Sequence, residues 1–390
     1  MGKWYPLALA VLAIVPGVVL ELGAFHASPP VAALLLGIAI VGAAFLLSWA
    51  AEVIQLDVSQ GLALALLALI AILPEYIVDA TFAWLAAKDP SYAHYAIANM
   101  TGANRLLIGV AWPLVVALVW LRTRKTQVVL EPEHGLELVA LLAATVYAFV
   151  LPFKGSLSLI DGVILIAVFG VYVWRLARLP AEEPHLVGPA AQIGALPTRT
   201  RRIVTAVMGL LAAGAILLVA EPFAHALIET GTQIGVDEFL LVQWLAPLAS
   251  EAPEFVVVSI FAWRGAATAA LGALVSSKIN QWTLLVAMLP MIYSVGLGRV
   301  GALPLDGRQQ HEILLTAAQS LFAVLLLLDL RLSLAGAGML FGLFMTQLIW
   351  PDIRVEMSIV YITFGVIAVI LSRAHVGRAF RGARSAGQKR

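Results

Sequence analysis

Residues 73–84 read LPEYIVDATFAW and residues 252–263 read APEFVVVSIFAW. Each copy sets a Pro-Glu pair inside a long apolar run. Each then reaches Phe-Ala-Trp seven residues after the glutamate, at Phe82-Ala83-Trp84 and Phe261-Ala262-Trp263. A carboxylate at membrane depth costs several kcal/mol on any transfer scale, so Glu75 and Glu254 are candidate functional residues from the outset. Pro74 and Pro253 interrupt the helical ladder and free backbone carbonyls for other uses. Matching interrupted helices in two halves of a hydrophobic chain point to a transporter's midplane binding site.

The rest of the 390 residues agrees. Hydrophobic residues make up 62% and charged residues 12%, more apolar than a soluble core of this length would be. Runs long enough to cross about 30 Å of hydrocarbon fall at 6–24, 31–51, 60–86, 94–121, 136–152 and 158–178, then at 202–225, 237–263, 267–297, 311–328, 332–350 and 355–372. The expected fold is therefore an all-α polytopic membrane protein of about twelve helices. Assigning the loops alternately to two sides puts seventeen lysines and arginines on one side, among them Arg122, Arg124, Lys125 and Arg331, and five on the other, Lys88, Lys154, Arg299, Arg308 and Arg354. The positive-inside rule then places both termini in the cytoplasm, most simply of a plasma membrane. Arg105 and Lys278 are left within the membrane.

Several segments stand outside the functional argument. The first run exceeds the h-region of a signal peptide, so a retained helix is expected over 1–30. Residues 180–201 read as a cytoplasmic linker between halves at 31–179 and 202–350. Residues 351–373 form one more helix, and 374–390 a basic tail suited to anionic headgroups. Glu52, Glu137, Asp161, Glu221 and Asp329 lie near helix ends and read as interfacial. The histidines, His134 included, are scattered at ends and loops without metal-ligand spacing. Cysteine is absent, which excludes disulfides and thiolate ligands. No nucleic-acid patch is visible.

The duplication extends on both sides of Pro-Glu. Upstream, residues 45–75 parallel 223–254; downstream, AIANMTGANRLLIG at 96–109 parallels GALVSSKINQWTLL at 272–285. The repeated unit is five helices. An odd count makes the second copy enter the membrane from the opposite face, so the repeats are inverted.

Inverted five-helix repeats, with hydroxyl residues before Pro-Glu and a Gly-Ser-Asn-x-x-Asn/Asp stretch on the next helix, resemble the alpha-repeats of the cation/calcium antiporter superfamily, which contains sodium/calcium and calcium/proton exchangers. The two motifs span about 66–109 and 245–286. The resemblance implies a ten-helix exchanger core with one extra helix at each end, a cation site built by both repeats, and alternating access. The hydroxyl pair falls on Ala71 and Ile72 in the first repeat and on Ser250 and Glu251 in the second. The downstream stretch reads Gly102-Ala103-Asn104-Arg105-Leu106-Leu107 in the first and Ser276-Ser277-Lys278-Ile279-Asn280-Gln281 in the second.

Calcium takes six to eight oxygens, and the chain lacks side-chain oxygens at Ala71, Ile72, Ala103 and Leu107. It gains Asp79, one turn after Glu75, and Glu251, one turn before Glu254. Glu75 and Glu254 are the expected metal-binding acids, with Asp79, Glu251, Ser250, Ser277, Gln281, Asn99 and Asn104 lining the site. Lys278 and Arg105 are internal charge partners, each able to pair with one of the four acids, because an unpaired buried charge is far costlier than a paired one. Arginine keeps its charge, whereas a buried lysine can release its proton, which suggests proton coupling. The expected activity is secondary antiport, with sodium against protons first and calcium against protons or sodium against calcium as alternatives. A non-transporting sensor or scaffold of the same fold is a further alternative. No enzyme motif and no cofactor is expected; the partners are inorganic cations and the bilayer.

Overall fold

The computed structural model describes residues 4–57, 73–178 and 186–371. Ala71 and Ile72, most of the first half of the run at 60–86, the linker's Glu182 and Glu183, and the basic tail lie outside the described residues. In hydrocarbon every backbone N–H and C=O must find its partner within the segment, so apolar runs become helices. Each of the twelve expected runs carries a helix over its described residues. Nine are long and apolar enough to span among the described residues, while Tyr5–Glu21 and Leu334–Ile349 are shorter apolar helices. Leu73–Lys88 begins where the description resumes. The chain is an all-α polytopic membrane protein. Part of the expected linker is itself helical, at Gly188–Gly194, and the long helix Thr198–Ile234 begins within it.

Contacts divide the chain into two compact units, Met1–Leu85 with Pro180–Pro253, and Ala86–Leu179 with Glu254–Arg390. Each draws segments from both repeats. Glu75, Asp79, Ser250 and Glu251 belong to the first unit and Glu254 to the second, because the division falls inside the helix Glu238–Arg264.

In the first unit the first helices of the two repeats, Pro29–Ile54 and Thr198–Ile234, pack together with Tyr5–Glu21. Tyr5–Glu21 approaches through small residues. A Cβ added at Gly42 would lie 2.5 Å from the Ala10 carbonyl oxygen, and one at Gly17 would lie 2.6 Å from Ala39 Cβ. Such contacts let membrane helices gain dispersion energy without a hydrophobic drive. Leu46, Leu47, Trp49, Ile77, Met208 and Ile216 fill the core around them. At one end Asp57 receives Arg201 through two hydrogen bonds of 2.8 Å each and Arg202 through one of 2.9 Å.

In the second unit two short antiparallel ladders reveal the symmetry. β1 (Gln127–Val129) pairs with β4 (Arg331–Ser333), and β2 (Ser156–Leu157) pairs with β3 (Leu303–Pro304). The loop after the third helix of one repeat thus joins the loop after the fourth helix of the other, in both directions. Parallel repeats would put those loops on opposite faces; inverted repeats put them together. The ladders also join loops that the charge count assigns to one side. Both repeats interrupt their third helix at the same place with a π turn, Leu107–Ala111 and Gln281–Leu285, where hydrogen bonds skip five residues. Gly109 in the first turn admits the Phe344 ring, which an added Cβ would meet at 2.3 Å.

Candidate functional site

The second unit's part of the site starts on the Pro-Glu helix. Glu254 follows Pro253 and points its carboxylate at Ser277, whose hydroxyl donates to Oε1 at 2.8 Å and lies 3.1 Å from Oε2. Ser277 sits near the end of Ala267–Asn280, the helix that runs into the second π turn. The next residue, Lys278, is fully buried. Its ammonium donates to the Asn104 backbone carbonyl at 2.9 Å and to Asn104 Oδ1 at 2.5 Å, and lies 4.9 Å from the Trp282 ring centroid. Asn104 Nδ2 donates to the Met100 carbonyl at 2.9 Å, which turns Oδ1 toward the lysine and fixes the amide's orientation. Asn99 and Gln281 are fully buried on the same two interrupted helices. The unit therefore holds a carboxylate fixed by a hydroxyl, and next to that hydroxyl in sequence a buried cation fixed by an amide.

The first unit carries the other acids. Glu75 and Asp79 lie one turn apart on Leu73–Lys88, 3% and 0% exposed, and Glu251 is 2% exposed. Ser250 donates to the Ala246 and Pro247 carbonyls at 3.2 Å each, back-bonding to the stretch that Pro247 and Pro253 loosen. Its lone pairs remain available as acceptors.

Arg105 has a partner the sequence reading left out. Its guanidinium meets Glu312 Oε2 at 2.6 Å, and Arg354 Nε meets Glu312 Oε1 at 2.5 Å. Gln319 Nε2 donates to the Arg105 carbonyl at 3.1 Å, and Gln347 Nε2 donates to Gln319 Oε1 at 3.0 Å. Glu312 lies on Gly307–Leu327 and Arg354 opens Arg354–Leu371, so the network ties the extra C-terminal helix to the fourth helix of the second repeat. Arg354, counted above among loop charges, is part of this buried network. Only its place at the start of the last apolar run hinted at that.

Two acids read as interfacial are buried. Asp161, 1% exposed, closes a capping box with Ser158, accepts from Tyr147 at 2.7 Å, and pairs with Lys154. Glu137, 7% exposed, is enclosed by His134, Tyr172 and Ser276. Both stand at helix ends, as expected, but neighbouring helices cover those ends.

A sequence profile described as sodium/calcium exchanger protein matches residues 28–177 and 204–351, the two repeats. Among solved structures, one described as the H+/Ca2+ exchanger CAX is 41% identical with a TM-score of 0.94 and covers 100% of both chains. The Ca2+/H+ antiporter protein YfkE is 15% identical, TM-score 0.64, over 91% of this chain and 99% of its own. The sodium-calcium exchanger NCX_Mj is 16% identical, TM-score 0.54, over 85% of this chain and 99% of its own. At such identities the last two show the fold alone. A comparison with curated proteins returns no match.

Proposed function

The chain belongs to the sodium/calcium exchanger family, and on that premise we propose that it is a secondary antiporter exchanging a metal cation against protons across the membrane it spans. The observation that carries the proton coupling is Lys278. Its ammonium, in the place where the family's second repeat has an asparagine, is held on Asn104, and the residue before it in sequence, Ser277, holds Glu254. Cation entry at Glu254 brings a second positive charge toward a buried ammonium. Release of a proton from Lys278 or from Glu254 relieves that repulsion. Glu75 is the matching acid of the first repeat, and we assign both glutamates to the cation, with Asp79, Glu251, Ser250, Ser277, Gln281, Asn99 and Asn104 as the supporting polar set.

Calcium is the proposed cation. Its support is the likeness, over the whole length at 41% identity, to a protein described as an H+/Ca2+ exchanger. Bidentate carboxylates and the carbonyls freed at Pro74 and Pro253 would make up the oxygens that Ala103 and Leu107 do not supply. Sodium against protons is the second reading, favoured by Lys278 itself: a site carrying a fixed positive charge suits a monovalent ion needing less charge compensation. The excess of lysines and arginines on one set of loops supports cytoplasmic termini in a plasma membrane.

The test is transport by the purified chain in liposomes under an imposed pH gradient, with radioactive calcium and sodium offered separately. Glu75→Gln with Glu254→Gln is the control. Proton-driven calcium uptake abolished in the control supports the proposal, and sodium uptake in its place supports the second reading. Absence of flux for both ions would leave the non-transporting scaffold.

A further inference from the structure

Glu137 stands outside the set assigned to the cation, yet it holds the helix that carries Ser277 and Lys278. On Ala267–Asn280 the Ser276 hydroxyl donates to Glu137 Oε1 at 2.7 Å. The Tyr172 hydroxyl, from Leu159–Leu176, lies 3.1 Å from Ser276 Oγ and 3.4 Å from Glu137 Oε1. Glu137 Oε2 lies 2.7 Å from His134 Nδ1. The His134 ring packs on Gly272, where an added Cβ would come within 2.5 Å of Cε1, and the Thr268 hydroxyl donates to the Val129 carbonyl at 2.9 Å. Thr268, Gly272 and Ser276 follow one another at four-residue spacing, so the three contacts fall along one face of the helix. A face held at three points fixes the helix against rotation about its own axis.

The other repeat is built in the same way. Glu312, on the fourth helix of the second repeat, meets Arg105 on the third helix of the first at 2.6 Å, just as Glu137, on the fourth helix of the first, meets Ser276 on the third helix of the second. Ser276 stands five residues before the π turn that opens at Gln281, and Arg105 two before the one that opens at Leu107. A difference of three positions keeps both contacts on corresponding helix faces. The fifth helix of each repeat adds to the hold, through Tyr172 in one and through Gln347 in the other, which donates to the Gln319 that binds the Arg105 carbonyl. Because it occurs in both halves, the buried acid belongs to the architecture of the repeat.

We propose that Glu137 is a positioning residue of the cation site, acting through Ser276 to set the rotation of Ala267–Asn280 at which Ser277 meets Glu254 and Lys278 meets Asn104. The inference deepens the cation site proposed above and rests on it. Successive side chains project about 100° apart around a helix, so Ser276 can be held toward Gly135–Ala148 while Ser277 and Lys278 face other neighbours. With side-chain tips about 5 Å from the axis, a turn of about 20° moves the Ser277 hydroxyl by about 2 Å. Neither the 2.8 Å bond to Glu254 nor the 2.9 Å bond from Lys278 to the Asn104 carbonyl survives such a shift. This role asks Glu137 for an acceptor oxygen and not for its charge.

The experiment measures initial uptake of radioactive calcium, and in parallel of radioactive sodium, by the reconstituted full chain over a range of cation concentrations. The half-maximal concentration and the maximal rate are thereby read separately. Glu137→Leu removes the acceptor, and the half-maximal concentration should rise about tenfold with the maximal rate retained, at the lower end of what loss of a residue orienting metal-binding side chains costs in affinity. Glu137→Gln keeps an acceptor oxygen for Ser276 and turns Nε2 toward His134, so its half-maximal concentration should match the parent's. Ser276→Ala should behave as Glu137→Leu does, and the double variant should be no worse than either single one, because both remove the same bond. The serine variant decides the matter if Glu137→Leu fails to fold. Three results overturn the assignment: a parent-like half-maximal concentration in Ser276→Ala, equal rises in Glu137→Gln and Glu137→Leu, or a fall in maximal rate alone, which is loss of folded protein and not displacement of Ser277. A parent chain that carries neither ion overturns the cation-site reading itself, and that failure is visible before any variant is made.

Discussion

Lys278 donates its ammonium to Asn104, and the two residues hold equivalent places in the two halves of the chain: each stands three residues before a π turn. Two copies of one motif therefore touch at corresponding positions through unlike residues. Had both been asparagine, two neutral amides would meet there. The lysine makes the contact a charged one, and charge inside a low-dielectric interior acts far more strongly than at a surface.

Lys278→Asn should convert the contact to an amide pair. Removing a fixed positive charge favours an entering cation, and we expect the cation concentration for half-maximal transport to fall about tenfold, equivalent to about 1.4 kcal/mol. The pH dependence of transport should flatten at the same time. Flux measured across a range of pH in liposomes checks both effects, and an unaltered profile would remove the lysine from the coupling.

Glu312→Gln should be costly for a different reason. It leaves Arg105 and Arg354 facing a neutral amide, and breaking a buried ion network from one side costs about 3–5 kcal/mol. Thermal unfolding in detergent should show a large drop in midpoint. The double variant Glu312→Gln with Arg105→Met should recover part of it, because the most deeply buried charge is then gone. Full additivity of the two losses would contradict a shared network.

Asp57 provides a pH signature outside the membrane spans. Hydrogen bonding to Arg201, followed by Arg202, holds its carboxyl down from 3.8 to about 2. A depressed folded-state value favours the folded form above the unfolded pKa, and the contribution is lost as pH falls through the folded one. The stability gap between parent and Asp57→Asn should therefore be constant above about pH 5 and close between about pH 4 and pH 2. Urea unfolding of both proteins across that range measures it. High salt should narrow the gap at neutral pH, because Arg202 is largely exposed.

The hydrophobic runs, the duplicated Pro-Glu and the two intramembrane bases could all be read from sequence, because each is a local property of residue type and spacing. The pairing of those bases could not. Arg105 reaches Glu312, distant by 207 positions, and Lys278 reaches Asn104, distant by 174; partner choice over such separations is decided by how helices pack. Glu137 illustrates the same limit. Its place in the first turn of Gly135–Ala148 suggested an interfacial acid, and only the covering helices Leu159–Leu176 and Ala267–Asn280 make it a buried one. The π turns left no mark beyond the repeat itself, since Leu107–Ala111 and Gln281–Leu285 share no residue pattern that would distinguish them from ordinary helix.

Gly109→Ala tests whether the first π turn matters to transport. The added methyl would stand 2.3 Å from Phe344 Cγ, and Phe344 is 1% exposed with no room to retreat. Overpacking of this kind costs about 1–3 kcal/mol. Pairing it with Phe344→Leu should return most of the stability by opening space for the methyl. Transport by that repaired double variant is the informative quantity: a parent-like rate would mean that the turn needs only to be accommodated, whereas a persistent loss would mean that its backbone geometry, three residues beyond Asn104, sets the position of the carbonyl that Lys278 holds.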